Sequence, residues 1–501
     1  MKKLIEMVRV LDRKRLKKIE IFNDSGGKSG SDNLYYKFYH GIRDGSYTTD
    51  EEAARGLFDT EPSSKKYLML KSRLKTRLLN TLFFLEKSNS RYQQALYDCN
   101  RDLFSARILL LNGARDSAIS LLRSAYSEAQ KFSITDVAIE CSRMLRHQSA
   151  YVGNTLEFEQ YNEQFEQLKV ILDAEYYSEE IMQKVVVHFA KSSSQKPGLA
   201  TQARKDLQRL DEMLGGRVMS HTLKLNTLRL RLMIYQMEGN HRATLGVAQE
   251  GENYLLRRPL LSQNARLGEF ALNQMVACMH LGDYASGEAN AQRCLGYLTE
   301  GSNNWMIFLE YFFLLCMHTG NYTRAEEVYH QVTSHPRFGS LDSARAEKWR
   351  IFDAFLHYMR QDASDSSSES RRFHLHKFLN EVPIYSKDKR GLNISILILQ
   401  ILYLLDRKDW NGIIGRTESL KVYASRHLKR DDTFRSNCFV KMMLTMEKKD
   451  FDREETSRIA GKYFSKLQSS RFDYRGDLGS LEVIPYERLW ENVLSRLKQV
   501  A

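Results

Sequence analysis

Along most of the chain, apolar positions recur every three or four residues, the spacing that gathers them on one face of a helix. YFFLLCMHTGNYTRAEEVYHQV (311–332) shows the recurring unit: an apolar run closes, Gly320-Asn321 turns the chain, and a second periodic segment starts at Tyr322. The same order returns around Gly282 (MVACMHLGDYASGEANAQRCL), Gly239 (LRLRLMIYQMEGNHRATLGVA) and Gly113 (LFSARILLLNGARDSAISLLRSA). Weaker copies turn at Lys408-Asp409-Trp410 and Lys449-Asp450-Phe451, and a further turn is predicted near Gly153-Asn154. The turns stand about forty residues apart, with two gaps of about twice that length. Those gaps predict hidden turns within 191–198 and 360–370. Small residues five positions after the turn (Ala325, Gly287, Ala118) let the second helix lie close to the first. Aromatics two positions after it (Tyr322, Tyr284) plug the divergence, and residues four before it (Cys316, Cys278, Leu109) face the seam. No stretch alternates apolar and polar residues as a half-buried strand does, and the six prolines fall at segment edges, so the chain reads as all-α.

The pattern resembles the tetratricopeptide-repeat superfamily of α-solenoids, through Gly320-Asn321-Tyr322 with Ala325 and Tyr329, and through Leu281-Gly282-Asp283-Tyr284. The repeat is longer than is usual there, the first-helix tryptophan is mostly missing, and the prolines after second helices are largely absent. The resemblance spans roughly residues 95–470. It implies a right-handed superhelical solenoid of about nine helical hairpins, period about 42, over residues 91–470. It also implies a concave face, lined by first helices, that binds another protein or a peptide. Ligand contacts in that superfamily come from solvent-facing first-helix positions, which here are Arg107, Asn226, Arg229, Gln236 and Glu310. Glu310 interrupts the apolar WMIFLEYFFLLCM; its carboxylate either points into the groove, pairs with an arginine of a neighbouring unit, or is solvated at the helix surface.

The first ninety residues do not follow the repeat. Residues 1–31 read as a basic amphipathic helix (2–22) and a flexible linker, and 32–90 as a small helical module. Gly27-Lys28-Ser29 is the tail of a phosphate-loop motif, but Phe22 stands where its first glycine belongs. Thr48 and Glu51 form a capping box that starts a short helix. After Pro62 a longer helix carries a Leu70, Leu74, Leu78 stripe. Between Ser63 and Asn80 all charges are positive: Lys65, Lys66, Lys71, Arg73, Lys75 and Arg77. Short helix, turn and long basic helix resemble a helix-turn-helix module, and bacterial regulators that join one to tetratricopeptide-like repeats have a similar layout. That resemblance implies the alternative function, a regulator contacting DNA or RNA through this basic helix with the repeats as sensor; the competing assignment is a basic collar that packs the first repeat and leaves its lysines solvated.

Charge adds to this picture. The formal net charge is +13, with about half of the excess in the first ninety residues. Such an excess favours anionic partners without selecting one. The six cysteines lie far apart with no C-x-x-C pair, which reads as buried thiols in a reducing compartment. The opening segment lacks the apolar core of a signal peptide, and ISILILQILYLL (394–405) is too short to span a bilayer, so the expectation is a cytoplasmic protein. No catalytic, metal-binding or cofactor motif is present, so the reading is a non-enzymatic scaffold or adaptor. His374 and His376 would point about 200° apart on a helix, which does not suit a shared metal. The Ser/Asp-rich DASDSSSES reads as a loop, and the end of the chain (471–501) as a capping helix that covers the last repeat, starting at Pro485; docking of another protein is the competing role for that helix.

Overall fold

The computed structural model describes residues 1–13, 34–83, 90–191, 196–361, 392–427, 434–470 and 482–498. Among them are 21 α-helices and no β-strand. The linker with Gly27-Lys28-Ser29, the Ser/Asp-rich stretch, and His374 with His376 lie outside the described residues. Two compact units divide the chain, Met1–Phe165 and Glu166–Ala501.

In the first unit, α1 (Lys2–Arg13), α2 (Leu34–Arg43), α3 (Asp50–Phe58) and α4 (Lys65–Phe83) close around one core. Leu4, Val8 and Leu11 meet Phe38, Ala53 and Ala54, and Tyr67, Leu70, Leu74 and Leu78 from α4 complete it. The capping box of α3 lies one residue later than the sequence suggests. The Glu52 N–H donates to Thr49 Oγ at 3.2 Å, and the Glu52 carboxylate accepts the Thr49 and Thr48 N–H groups at 3.1 and 2.7 Å. In this register Ala53 and Ala54 turn toward the core. Asp50 then fastens α3 to α4 by accepting from Lys71 Nζ at 2.6 Å and from the Tyr67 hydroxyl. The unit continues with α5 (Arg91–Leu111), α6 (Arg115–Lys131), α7 (Thr135–Tyr151) and the start of α8 (Thr155–Lys191), with α5 packed on α6 and α6 on α7.

The second unit takes up the rest of α8 and then α9 (Lys196–Leu214), α10 (His221–Met237), α11 (His241–Leu256), α12 (Asn264–Leu281), α13 (Tyr284–Tyr297), α14 (Asn303–Thr319), α15 (Tyr322–Thr333) and α16 (Ser343–Gln361). It ends with α17 (Leu392–Asp406), α18 (Trp410–His427), α19 (Phe434–Lys448), α20 (Arg453–Ser469) and α21 (Tyr486–Arg496). Each helix packs chiefly on its neighbours in sequence, while α21 returns to α17, α19 and α20. The apolar 394–405 stretch is a buried helix, α17, with Ile398, Leu399, Ile401 and Leu402 fully enclosed.

The turns explain the recurring Gly-Asn and Gly-Asp pairs. Gly113, Gly153, Gly239, Gly282 and Gly320 all have φ between 66° and 79°, a left-handed conformation that glycine adopts without a Cβ clash. The next residue does two jobs. Its N–H closes the preceding helix, as Asn321 does on the Cys316 carbonyl at 2.9 Å and Asp283 on that of Cys278 at 3.0 Å. Its side chain caps the following helix, accepting from Arg324 N–H at Asn321 and from Ser286 N–H at Asp283. Asn240 and Asp409 repeat both contacts. At the last marker the left-handed residues are Asp450 and Phe451 rather than Lys449. Ser133, φ 53°, turns α6 into α7 with no glycine to announce it.

Candidate functional site

The five first-helix residues assigned to a partner are each engaged within the fold, four with the helix pair that follows and Asn226 with the one before. Arg107 on α5 donates to Glu140 on α7 at 2.8 Å, Arg229 on α10 to Glu269 on α12 at 2.7 Å, and Gln236 on α10 to Asn273 on α12 at 2.5 Å. Glu310 on α14 accepts from Lys348 on α16, a lysine in place of the arginine foreseen for it, and both side chains are nearly buried. Asn226 is buried and donates to Ser178 on α8 at 2.9 Å. Each bond joins a first helix to a helix one pair away. Arg107 alone among the five remains largely exposed.

On α4 the six cations divide into two groups. Lys71 is held by Asp50, and the Arg77 guanidinium lies over the Tyr35 ring, 4.1 Å from its centroid. Lys65, Lys66, Arg73 and Lys75 are exposed and make no ion pair among the described residues. The Leu70, Leu74 and Leu78 stripe that orients them is buried in the α1–α4 core.

In the second unit the helix that the sequence places after Pro485 forms a strap, whose reach local sequence does not reveal. The segment 482–498, containing α21, crosses the turns of three helix pairs, further than the last hairpin alone. Arg488 donates to the Tyr322 hydroxyl at 3.3 Å and to the His318 carbonyl at 3.4 Å beside the α14–α15 turn. Arg496 pairs with Asp406 before the α17–α18 turn, and Lys498 lies over Trp410, 5.0 Å from the ring centroid. At the α19–α20 turn the Lys498 N–H donates to the Phe451 carbonyl at 2.9 Å. Leu489, Trp490 and Val493 are buried, and Tyr486 stacks on Phe439 with 4.5 Å between centroids. At its start Arg435 donates to both oxygens of buried Glu482, at 2.9 and 2.8 Å, and to Glu487. Burial pushes the Glu482 carboxyl upward, opposed by Arg435 and by the Tyr486 N–H. His318 Nε2 meets the Glu482 carbonyl at 2.9 Å, and burial lowers this imidazole to about 4. Beside this cluster lies a cavity of about 1280 Å³, lined by His241, Arg242, His280, Tyr284 and Glu487 among others. The His241 and His280 rings stack, 4.1 Å apart.

All six cysteines are buried, and burial pushes the Cys99, Cys141, Cys294 and Cys316 thiols to about 12, far from a thiolate nucleophile. Among the described residues no three His, Cys, Asp or Glu side chains converge as metal ligands, and no helix is long and apolar enough to cross a membrane. No family model, no curated protein and no solved structure matches the chain.

Sequence reasoning missed Lys348 and the Arg435–Glu482–Glu487 cluster. The 38-residue separation of Glu310 and Lys348 was a usable signal, since it matches the spacing of the turns at Gly282 and Gly320. The Arg435 cluster has no periodic signature.

Proposed function

We propose that this chain is a non-enzymatic scaffold or adaptor in the cytoplasm, holding another protein or a peptide on the concave, first-helix face of a tetratricopeptide-like, right-handed solenoid of about nine hairpins. The observation that carries this reading is the series of bonds from one first helix to the next: Arg107–Glu140, Arg229–Glu269, Gln236–Asn273 and Glu310–Lys348. Stacked hairpins require first helices to be neighbours at one repeat step. A binding role draws support from α5, which has two apolar faces. Ala95, Cys99, Leu103 and Ala106 are buried, whereas Tyr97, Phe104 and Ile108 on the opposite side are 48%, 54% and 45% exposed. Co-purification from the native cell tests the reading. A stable protein partner is expected with the unaltered chain and is lost with Tyr97→Glu/Phe104→Glu; a clean monomer without any partner overturns it.

One observation favours a second reading, contact with DNA or RNA: the exposed Lys65, Lys66, Arg73 and Lys75 on one helix, unpaired among the described residues. A labelled duplex should then bind with affinity that falls steeply as salt rises, and reversing these four charges should abolish binding. Binding unchanged by the reversal removes this reading.

A further inference from the structure

The turn edge that α21 covers in the second unit has a bare counterpart in the first. Two positions before the left-handed residues Gly320 and Lys408 stand His318 and Asp406, and both are covered by the strap, through Arg488 and Arg496. Two positions before Gly113 and Gly153 stand Leu111 and Tyr151, which are 87% and 76% exposed. These two turns adjoin one another. Arg115, just past the first, donates to the Gln148 carbonyl at 2.9 Å and lies over the Tyr151 ring, 4.3 Å from its centroid. Val152 and Leu156 extend the exposed apolar patch. Isolated exposed leucines are ordinary, but four large apolar side chains on two adjoining turns form a patch of the kind that marks an interaction site.

The surroundings of the patch select its occupant. Asp116 and Glu159 are exposed and make no ion pair among the described residues. Glu159 and Glu163 follow Leu156 on the same face of α8, whereas Glu157 between them and the turn is already paired with Arg123 at 2.6 Å. The strap on the equivalent edge of the second unit is an amphipathic helix whose Arg488 and Arg496, with Lys498 beyond its end, reach the turns while Leu489, Trp490 and Val493 fill the seat. We propose that the α5–α6 and α7–α8 turns form a docking surface for a basic amphipathic helix of a partner protein. Its apolar side covers Leu111, Tyr151, Val152 and Leu156, and its cations meet Asp116 and Glu159. This surface is distinct from the first-helix face proposed above, and either can fail without the other.

The test is fluorescence anisotropy of the full chain with a labelled Leu/Lys amphipathic helix of about fifteen residues, against a Leu/Glu helix of the same pattern. The Leu/Lys probe should bind saturably and the Leu/Glu probe should not, which the chain's overall positive charge would not itself produce. Leu111→Ser/Leu156→Ser and, separately, Asp116→Lys/Glu159→Lys should each weaken binding about tenfold or more. All four positions are exposed, so the thermal midpoint should hold for the leucine pair and fall only slightly for the charge pair, where Asp116→Lys places a cation in the first turn of α6. No saturable binding, equal binding of both probes, or variants that bind like the unaltered chain would overturn the proposal.

Discussion

The Arg229 guanidinium on α10 donates to the Glu269 carboxylate on α12 at 2.7 Å, across 40 residues of sequence and one complete helix pair. Gln236 and Asn273 repeat the step at 37 residues, and Glu310 and Lys348 at 38. Polar residues on otherwise apolar first helices therefore act as registers between successive pairs. A sliding of one pair against the next would leave half-buried charges unpaired, which the low-dielectric seam penalises.

The Glu310–Lys348 pair is the most deeply set of these registers. Glu310→Ala should destabilise the second unit by about 3–5 kcal/mol, because Lys348 is left nearly buried without its carboxylate. Glu310→Met/Lys348→Met should restore most of that loss. Urea unfolding of the single and double variants provides the check.

Turn geometry gives a prediction of opposite signs. Lys408 occupies a left-handed conformation at φ 56°, so Lys408→Gly should stabilise by up to about 1 kcal/mol. Gly282→Ala places a Cβ at φ 76° and should destabilise by about 1 kcal/mol. Gly320→Ala should cost more, since its Cβ would also meet the Arg488 guanidinium at 3.1 Å. Thermal midpoints of the three variants should fall in that order.

His318 should make the strap sensitive to acid. Burial lowers its imidazole to about 4 in the folded protein, whereas in the unfolded chain it titrates near 6.5. The unfolded state therefore binds the proton first. Stability is full above about pH 6.5 and falls as pH drops toward 4, by about 3 kcal/mol in all. His221 shares the same direction, so the useful quantity is a difference. The unfolding free energy of His318→Gln should decline less between pH 6.5 and 4 than that of the unaltered chain. Parallel declines would mean that His318 does not titrate as described.

The helices and most of their turns were legible because the signals are local. Gly320-Asn321 and Gly282-Asp283 carry their own instructions: a residue free to turn left, then one able both to close and to cap. The capping box shifted by one residue because Thr48 and Thr49 are chemically alike, and only the burial of Ala53 and Ala54 separates the two registers. Ser133 was invisible because a serine seldom marks a left-handed turn. The positions chosen for ligand contact were polar for a different immediate reason, the bonds between pairs, and a single helix cannot show which partner its polar residue meets. The strap's helix was legible after Pro485, but its partners were hidden for the same cause. Arg435 and Glu482 meet across 47 residues, and His318 and Glu482 across 164, with no pattern near either to announce the pairing.

The proposed binding face is tested most directly by photo-crosslinking in the native cell from two positions in turn. One probe replaces Phe104 on the exposed face of first helix α5, and the other replaces Ser124 on the exposed side of second helix α6. The account predicts a discrete protein adduct from position 104 and none from position 124. No adduct from 104, or the same adduct from both, would contradict it.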